Sequence, residues 1–423
     1  MRKLQKPGIA CRTLGMALLL FVYAPVQASA QKPKTLYRFN GSLPSPYGGV
    51  AIGPGGVLYG TTYDGGANGS GTVFSLTPPA SPGGAWTEQE IFEFGSTGPI
   101  GPMSGVTTGK GGVLYGTTYA GGALYQGTVF SLTPPAVAGG AWSETVLHSF
   151  AGGSASDGAV PWAGVAIDEN GNLFGTTVAG GDSLGYECCG SVYELTPPSS
   201  PGGTWTETIL CSFSDGDYGL DPSSPYGGVV IGEGGVLYGT TYRGGTYAAG
   251  TVYSLTPPAS GVGPWTIFTL YNFKGKGDGI GPYTDLTIDS KGVLYGTTSS
   301  GGTGTACSNG CGTVFSLTPP YWTEEVLYSF TGGSDGWNPQ GRLAIGSGLV
   351  LYGATIGGGN PNGGTIFSLT PPPPRGTAWT WKPLFAFNGT TNGDWPSPLA
   401  IGTSGTLYGT TYGSPSTAFE LIP

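Results

Sequence analysis

Histidine is almost missing: the 423-residue chain has one, His148. Centres built on several imidazoles are therefore excluded, and neither a His-Glu-x-x-His pattern nor a phosphate-binding glycine loop is present. Charge is scarce, at 9% of residues, and basic charge scarcest, with 15 Lys and Arg against 24 Asp and Glu. Four of those bases, Arg2, Lys3, Lys6 and Arg12, precede an apolar run over 15–22 and the small residues Ala28-Ser29-Ala30, which is the layout of a cleavable export signal over 1–30. Without them 11 bases face 24 acids, a formal charge of −13, which argues against nucleic acid as a partner. The same balance suits a neutral glycan or a cation. No later stretch has the length of a membrane-spanning helix, and none keeps helical periodicity over three turns.

What is abundant is glycine, 83 residues, and proline, 36, punctuating short runs of Val, Leu, Phe, Tyr and Trp. The pattern is that of many short strands with tight turns. One pentapeptide occurs seven times, as Leu58-Tyr59-Gly60-Thr61-Thr62 and then at 114–118, 173–177 (with Phe174), 237–241, 294–298, 351–355 (with Ala354) and 407–411. Its aromatic positions, 59, 115, 174, 238, 295, 352 and 408, are spaced by 56 to 64 residues, so the repeat is the unit of structure.

Each unit carries four strand-like runs; in the third they are 164–167, 172–177, 191–196 and 205–213. Asn170-Gly171 there, or Gly53-Pro54-Gly55-Gly56 in the first unit, supplies the positive φ that closes a hairpin. One such meander cannot bury both of its faces, whereas seven around an axis can. The reading is an all-β, seven-bladed β-propeller of four-stranded antiparallel blades over 31–423. The run Thr35 to Phe39 matches a fourth strand but precedes the first unit, and the last unit lacks its fourth. The N-terminal strand is therefore expected to close the ring.

The pairing of Gly-Val-Leu-Tyr-Gly-Thr-Thr with Gly-Thr-Val-Phe-Ser-Leu-Thr-Pro-Pro, recurring in order from Leu36 to Leu421, resembles the Gloeo/Verruco tandem repeat, a choice-of-anchor repeat of secreted or surface bacterial proteins. The resemblance implies a repeat domain without an assigned activity, and wall or membrane anchoring in some members.

Antiparallel pairing places the loops after the second and fourth strands on one face. The segments leading into the first strands carry Tyr47, Trp162, Tyr226, Tyr283, Trp337 and Trp395 there, beside Asp157, Asp215, Asp335 and Asp394. Rings near a central opening, flanked by carboxylates, can stack on sugars and accept their hydroxyls, while the competing reading is that they plug blade junctions. The tryptophans 86, 142, 205, 265, 322 and 379, at the opposite end, read as structural caps.

Other chemistry is thin. His148 stands in an outer strand where other units have Cys211, Tyr271 or Tyr328, a structural position. Gly332-Gly333-Ser334-Asp335-Gly336 has the letters of a serine elbow without the helix that presents the serine. Asp168 to Asn172 and the acidic lead-in loops could take calcium, although no EF-hand glutamate follows the former. Cys307 and Cys311 are expected to form a local disulfide, with Cys188, Cys189 and Cys211 open as to pairing. The functional expectation is an exported, non-catalytic propeller acting as an extracellular ligand-binding or structural module, with a neutral glycan or wall-associated molecule as the candidate ligand. Its alternative is a carbohydrate-active enzyme, a glycoside hydrolase or lyase, using the loop-rich face.

Overall fold

The computed structural model describes residues 32–39, 45–81, 83–96, 98–137, 139–152, 157–181, 189–200, 202–214, 221–359 and 362–423. The export segment, Asp215 and Cys188 lie outside them.

Seven sheets stand around one axis. In the first blade Val50–Ile52, Leu58–Thr62, Thr72–Thr77 and Thr87–Glu93 pair in that order, all antiparallel. The following blades open at Thr107–Thr108, Ala166–Ile167, Val230–Ile231, Thr287–Ile288, Ala344–Ile345 and Ala400–Ile401. The first hairpin turns where expected, with Gly55 and Gly56 at φ 69 and 77. In the third blade Asp168 Oδ1 accepts from the amides of Asn170 and Asn172, so these oxygens make the turn.

The recurring pentapeptide has a packing reason at each place. Leu58 is buried, and a Cβ at Gly60 would stand 2.5 Å from Phe74 Cζ, so only glycine admits the aromatic ring of the third strand. The first threonine stitches blades: Thr61 Oγ1 donates to Ser104 O at 2.6 Å, Thr117 to Ala163 O at 2.8 Å and Thr176 to Gly227 O at 2.9 Å. The second threonine shares a hydrogen bond with the next strand, as Thr62 does with Thr72 at 2.9 Å. Apolar side chains on both faces of each third strand then fill clusters between adjacent blades. Phe150, Val165 and Tyr193 form one, and Phe213, Val229 and Tyr253 another. The capping tryptophans reach the preceding blade, Trp142 to Tyr59 and Trp86 to Tyr408.

The ring closes as the chain ends suggested. Lys34–Arg38 is the outer strand of the seventh blade, with Thr35 opposite Phe419 and Arg38 opposite Thr417. Lys34 Nζ lies 3.0 Å from Glu420 Oε1 along the same ladder. Cys307 and Cys311 form the expected disulfide. Among the described residues no helix is long and apolar enough to cross a membrane.

Candidate functional site

Each chain segment reaches its first strand through a proline: Pro46, Pro102, Pro161, Pro225, Pro282, Pro339 and Pro396. The next residue, Tyr47, Met103, Trp162, Tyr226, Tyr283, Gln340 or Ser397, lines an axial cavity of ≈ 900 Å³. The seventh blade is one residue shorter between Pro396 and its first strand, and Tyr412, just beyond the second strand, lines the cavity there. First-strand side chains such as Ala51, Thr107, Ala166 and Thr287 make the wall, with Asp285 and Arg342 as its charged members. Asp285 is partly committed, accepting the Gly228 amide at 2.6 Å.

The collar rings are in mutual contact. Tyr226 and Tyr283 stack with centroids 4.7 Å apart, Trp162 meets both edge-on at 5.5 and 6.3 Å, and Tyr47 lies 4.4 Å from Tyr412. Tyr63, Tyr119 and Tyr242 back the collar at 5.4–5.9 Å. Burial, then neighbouring tyrosines, hold the Tyr283 and Tyr412 hydroxyls above the usual phenol range, so they remain donors. Packing and ligand contact are thus not exclusive here: the rings brace one another and still line the cavity.

Trp337 and Trp395 do not line it. Trp337 stands two residues before its proline, in a short strand paired with the end of Leu351–Gly357, and its indole donates to Asn362 Oδ1 at 3.3 Å. Trp395 immediately precedes its proline and leans on Tyr412 at 5.7 Å while remaining 45% exposed, an outer step of the mouth. The misplacement arises because the cavity position is set by register after the proline, not by nearness to it. Tyr412 was missed for the same reason, though its place after the fifth pentapeptide residue, shared with Tyr63, Tyr119 and Tyr242, is a usable signal.

The carboxylates divide by environment. Asp335 is buried and committed to Tyr328, Thr331 and Gly333, which makes the Gly332 to Gly336 segment a turn. Asp394 lies against Gly413, where a Cβ would strike its carboxyl, and its Oδ1 is buried without a hydrogen-bond partner. Burial raises its pKa against the opposing bond from its own amide, and its charge is felt by Tyr412. Asp64 is raised by burial against a hydrogen bond from Ser45, and its charge is felt by Tyr47. Two carboxyl groups held above their ordinary range thus lie near the Tyr47–Tyr412 pair, Asp64 acting on Tyr47 and Asp394 on Tyr412.

Asp157 lies in another neighbourhood. It is buried at the outer edge between the second and third blades, where Oδ2 is 3.3 Å from His148 Nε2 and Glu207 Oε1 is 3.7 Å from the same nitrogen. Burial opposes the Asp157 charge, but bonds from His148 and the Ala151 amide hold its pKa low, whereas burial pushes Glu207 up to about 7. One nitrogen and two carboxylate oxygens within 4.8 Å of one another could hold a metal ion, a grouping absent from the sequence expectation.

The Gloeobacter/Verrucomicrobia repeat family matches residues 20–186 and 183–419. No curated protein matches the chain. Solved structures with the same fold include a protein assigned as a 6-phosphogluconolactonase from Bacteroides uniformis, at 15% identity and a TM-score of 0.51 over 84% of this chain and 88% of that one. A protein given the same assignment from Bacteroides fragilis aligns at 14% identity and a TM-score of 0.53 over 86% and 88%. The extracellular domain of a B. thetaiotaomicron protein assigned as a hybrid two-component system aligns at 12% and 0.54, over 92% of this chain but 39% of that one. The expectation that the chain is not an enzyme is corrected accordingly. Propellers assigned as lactonases share this architecture, so the lack of a linear catalytic motif has no weight against activity.

Proposed function

The chain belongs to the Gloeobacter/Verrucomicrobia repeat family, and from the geometry of the mouth we propose an exported propeller that binds and hydrolyses a neutral glycan there. The reading is carried by the Tyr47–Tyr412 pair, with Asp64 acting on Tyr47 and, acting on Tyr412, an Asp394 carboxyl with one oxygen buried and unpartnered. Sugar rings present apolar faces that stack on such aromatics, and the collar hydroxyls suit their polar edges. Trp162, Tyr226 and Tyr283 continue the collar and Trp395 forms its rim. In this reading Asp394 donates a proton to the departing glycosidic oxygen, and Asp64 takes one from the attacking water.

A panel of neutral glycans, read by calorimetric binding and by release of reducing ends, tests this. Trp395→Ala should raise KM about tenfold, and Asp394→Asn should lower kcat about 10²–10⁴-fold with binding kept. Binding without turnover would remove the role of Asp394 and leave a glycan-binding module. No binding to any member, or full turnover in Asp394→Asn, would overturn the proposal.

A further inference from the structure

The junction of the second and third blades holds a cluster independent of the axial mouth. At the fourth-to-fifth blade junction, Tyr271 sends its hydroxyl to Asp278 Oδ2 at 2.7 Å and to Glu324 Oε2 at 3.3 Å. The corresponding residues here are His148, Asp157 and Glu207, so a ring nitrogen replaces the hydroxyl between two carboxylates. Asp157 is fixed by the amides of Ala151, at 2.7 Å to Oδ2, and Gly158, at 2.6 Å to Oδ1. Glu207 Oε1 is buried without a hydrogen-bond partner, as the equivalent oxygens of Glu144 and Glu324 are, so what sets this junction apart is the His148 nitrogen held 3.3 and 3.7 Å from two carboxylate oxygens.

We propose that His148 Nε2, Asp157 Oδ2 and Glu207 Oε1 bind one first-row divalent transition-metal ion, clamping the outer strands of the second and third blades. Ligand atoms 3.3 and 3.7 Å apart are spaced as around an ion with bonds of about 2.0–2.2 Å. One imidazole and two carboxylates suit Zn²⁺ or Mn²⁺, whereas Ca²⁺ seeks six to eight oxygens. The ordered amides on Asp157 supply the outer support that such ligands need.

The chain has a single histidine, which makes the experiment direct. Chelator-stripped protein is titrated with ZnCl₂ by calorimetry, and the imidazole resonance is followed by NMR with Zn²⁺, Mn²⁺ and Ca²⁺ separately. One Zn²⁺ per chain is expected, with the imidazole shifted by Zn²⁺ and broadened by Mn²⁺. His148→Tyr copies the arrangement of Tyr271 and should fold, while Zn²⁺ affinity falls at least about 100-fold. Glu207→Gln removes a charged direct ligand and should weaken binding by at least about 10–100-fold, the range known for outer-shell losses, with the imidazole signal retained. An unmoved resonance, unchanged affinity in His148→Tyr, or Ca²⁺ bound more tightly than Zn²⁺ would each overturn the proposal.

Discussion

The Thr410 hydroxyl donates to the carbonyl oxygen of Pro46 at 2.8 Å, joining the last blade to the first. Thr61, Thr117 and Thr176 also bridge consecutive blades from this position, but to the second residue after the lead-in proline, so the closing junction uses the same donor with an acceptor two residues earlier. Thr410→Val leaves a buried carbonyl without its donor and should cost about 1–3 kcal/mol, measured by chemical denaturation. The sixth blade has Ala354 at this position, so the variant is expected to fold.

Aromatic packing at the junctions predicts two larger effects. Phe150 is fully buried against Tyr193, and Phe150→Ala should cost about 3–5 kcal/mol. Gly116→Ala would set a Cβ 2.6 Å from Phe130 Cζ, and should cost about 1–3 kcal/mol by overpacking. Denaturation midpoints close to wild type in either variant would contradict this packing.

Tyr253 predicts the opposite sign. Its hydroxyl is buried with no hydrogen-bond partner, while five other blades place Phe in the same third-strand position. Tyr253→Phe removes that polar atom and should be neutral or stabilise by about 1 kcal/mol. A clear fall in melting temperature would show that the hydroxyl has a partner.

Burial pushes Glu324 up to about 6 from an ordinary 4.5, outweighing the hydrogen bond from Tyr271 that favours its charge. The folded state thus holds a proton that the unfolded chain has released. The associated stability is fully present below pH 4.5 and is lost as pH rises through about 6. Glu324→Gln should flatten the stability profile across that window relative to wild type. An equal slope in both proteins would refute the assignment.

The architecture was legible because it rests on local signals that recur. Leu-Tyr-Gly-Thr-Thr, with Phe174 and Ala354 as its departures, marks every second strand, and Thr35 to Phe39 could be matched to fourth strands such as Val146 to Phe150. The mouth was legible in part. Tyr47, Trp162, Tyr226 and Tyr283 follow their prolines and line the cavity, whereas Trp337 and the shortened seventh blade break the register that decides orientation. His148, Asp157 and Glu207 were not brought together, since their contact depends on how two blades pack and no linear spacing encodes it. Asp394 was noticed for its charge, but its buried oxygen depends on the bare backbone of Gly413 in another segment.

Hydrogen–deuterium exchange on the intact protein tests the closed ring most directly. The account predicts that amides of Lys34–Arg38, and of Phe39 bonded to Ser416 O at 3.0 Å, are protected to the same degree as those of Thr417–Leu421. Exchange of 34–39 at the rate of an unstructured chain, with the seven repeats protected, would contradict it.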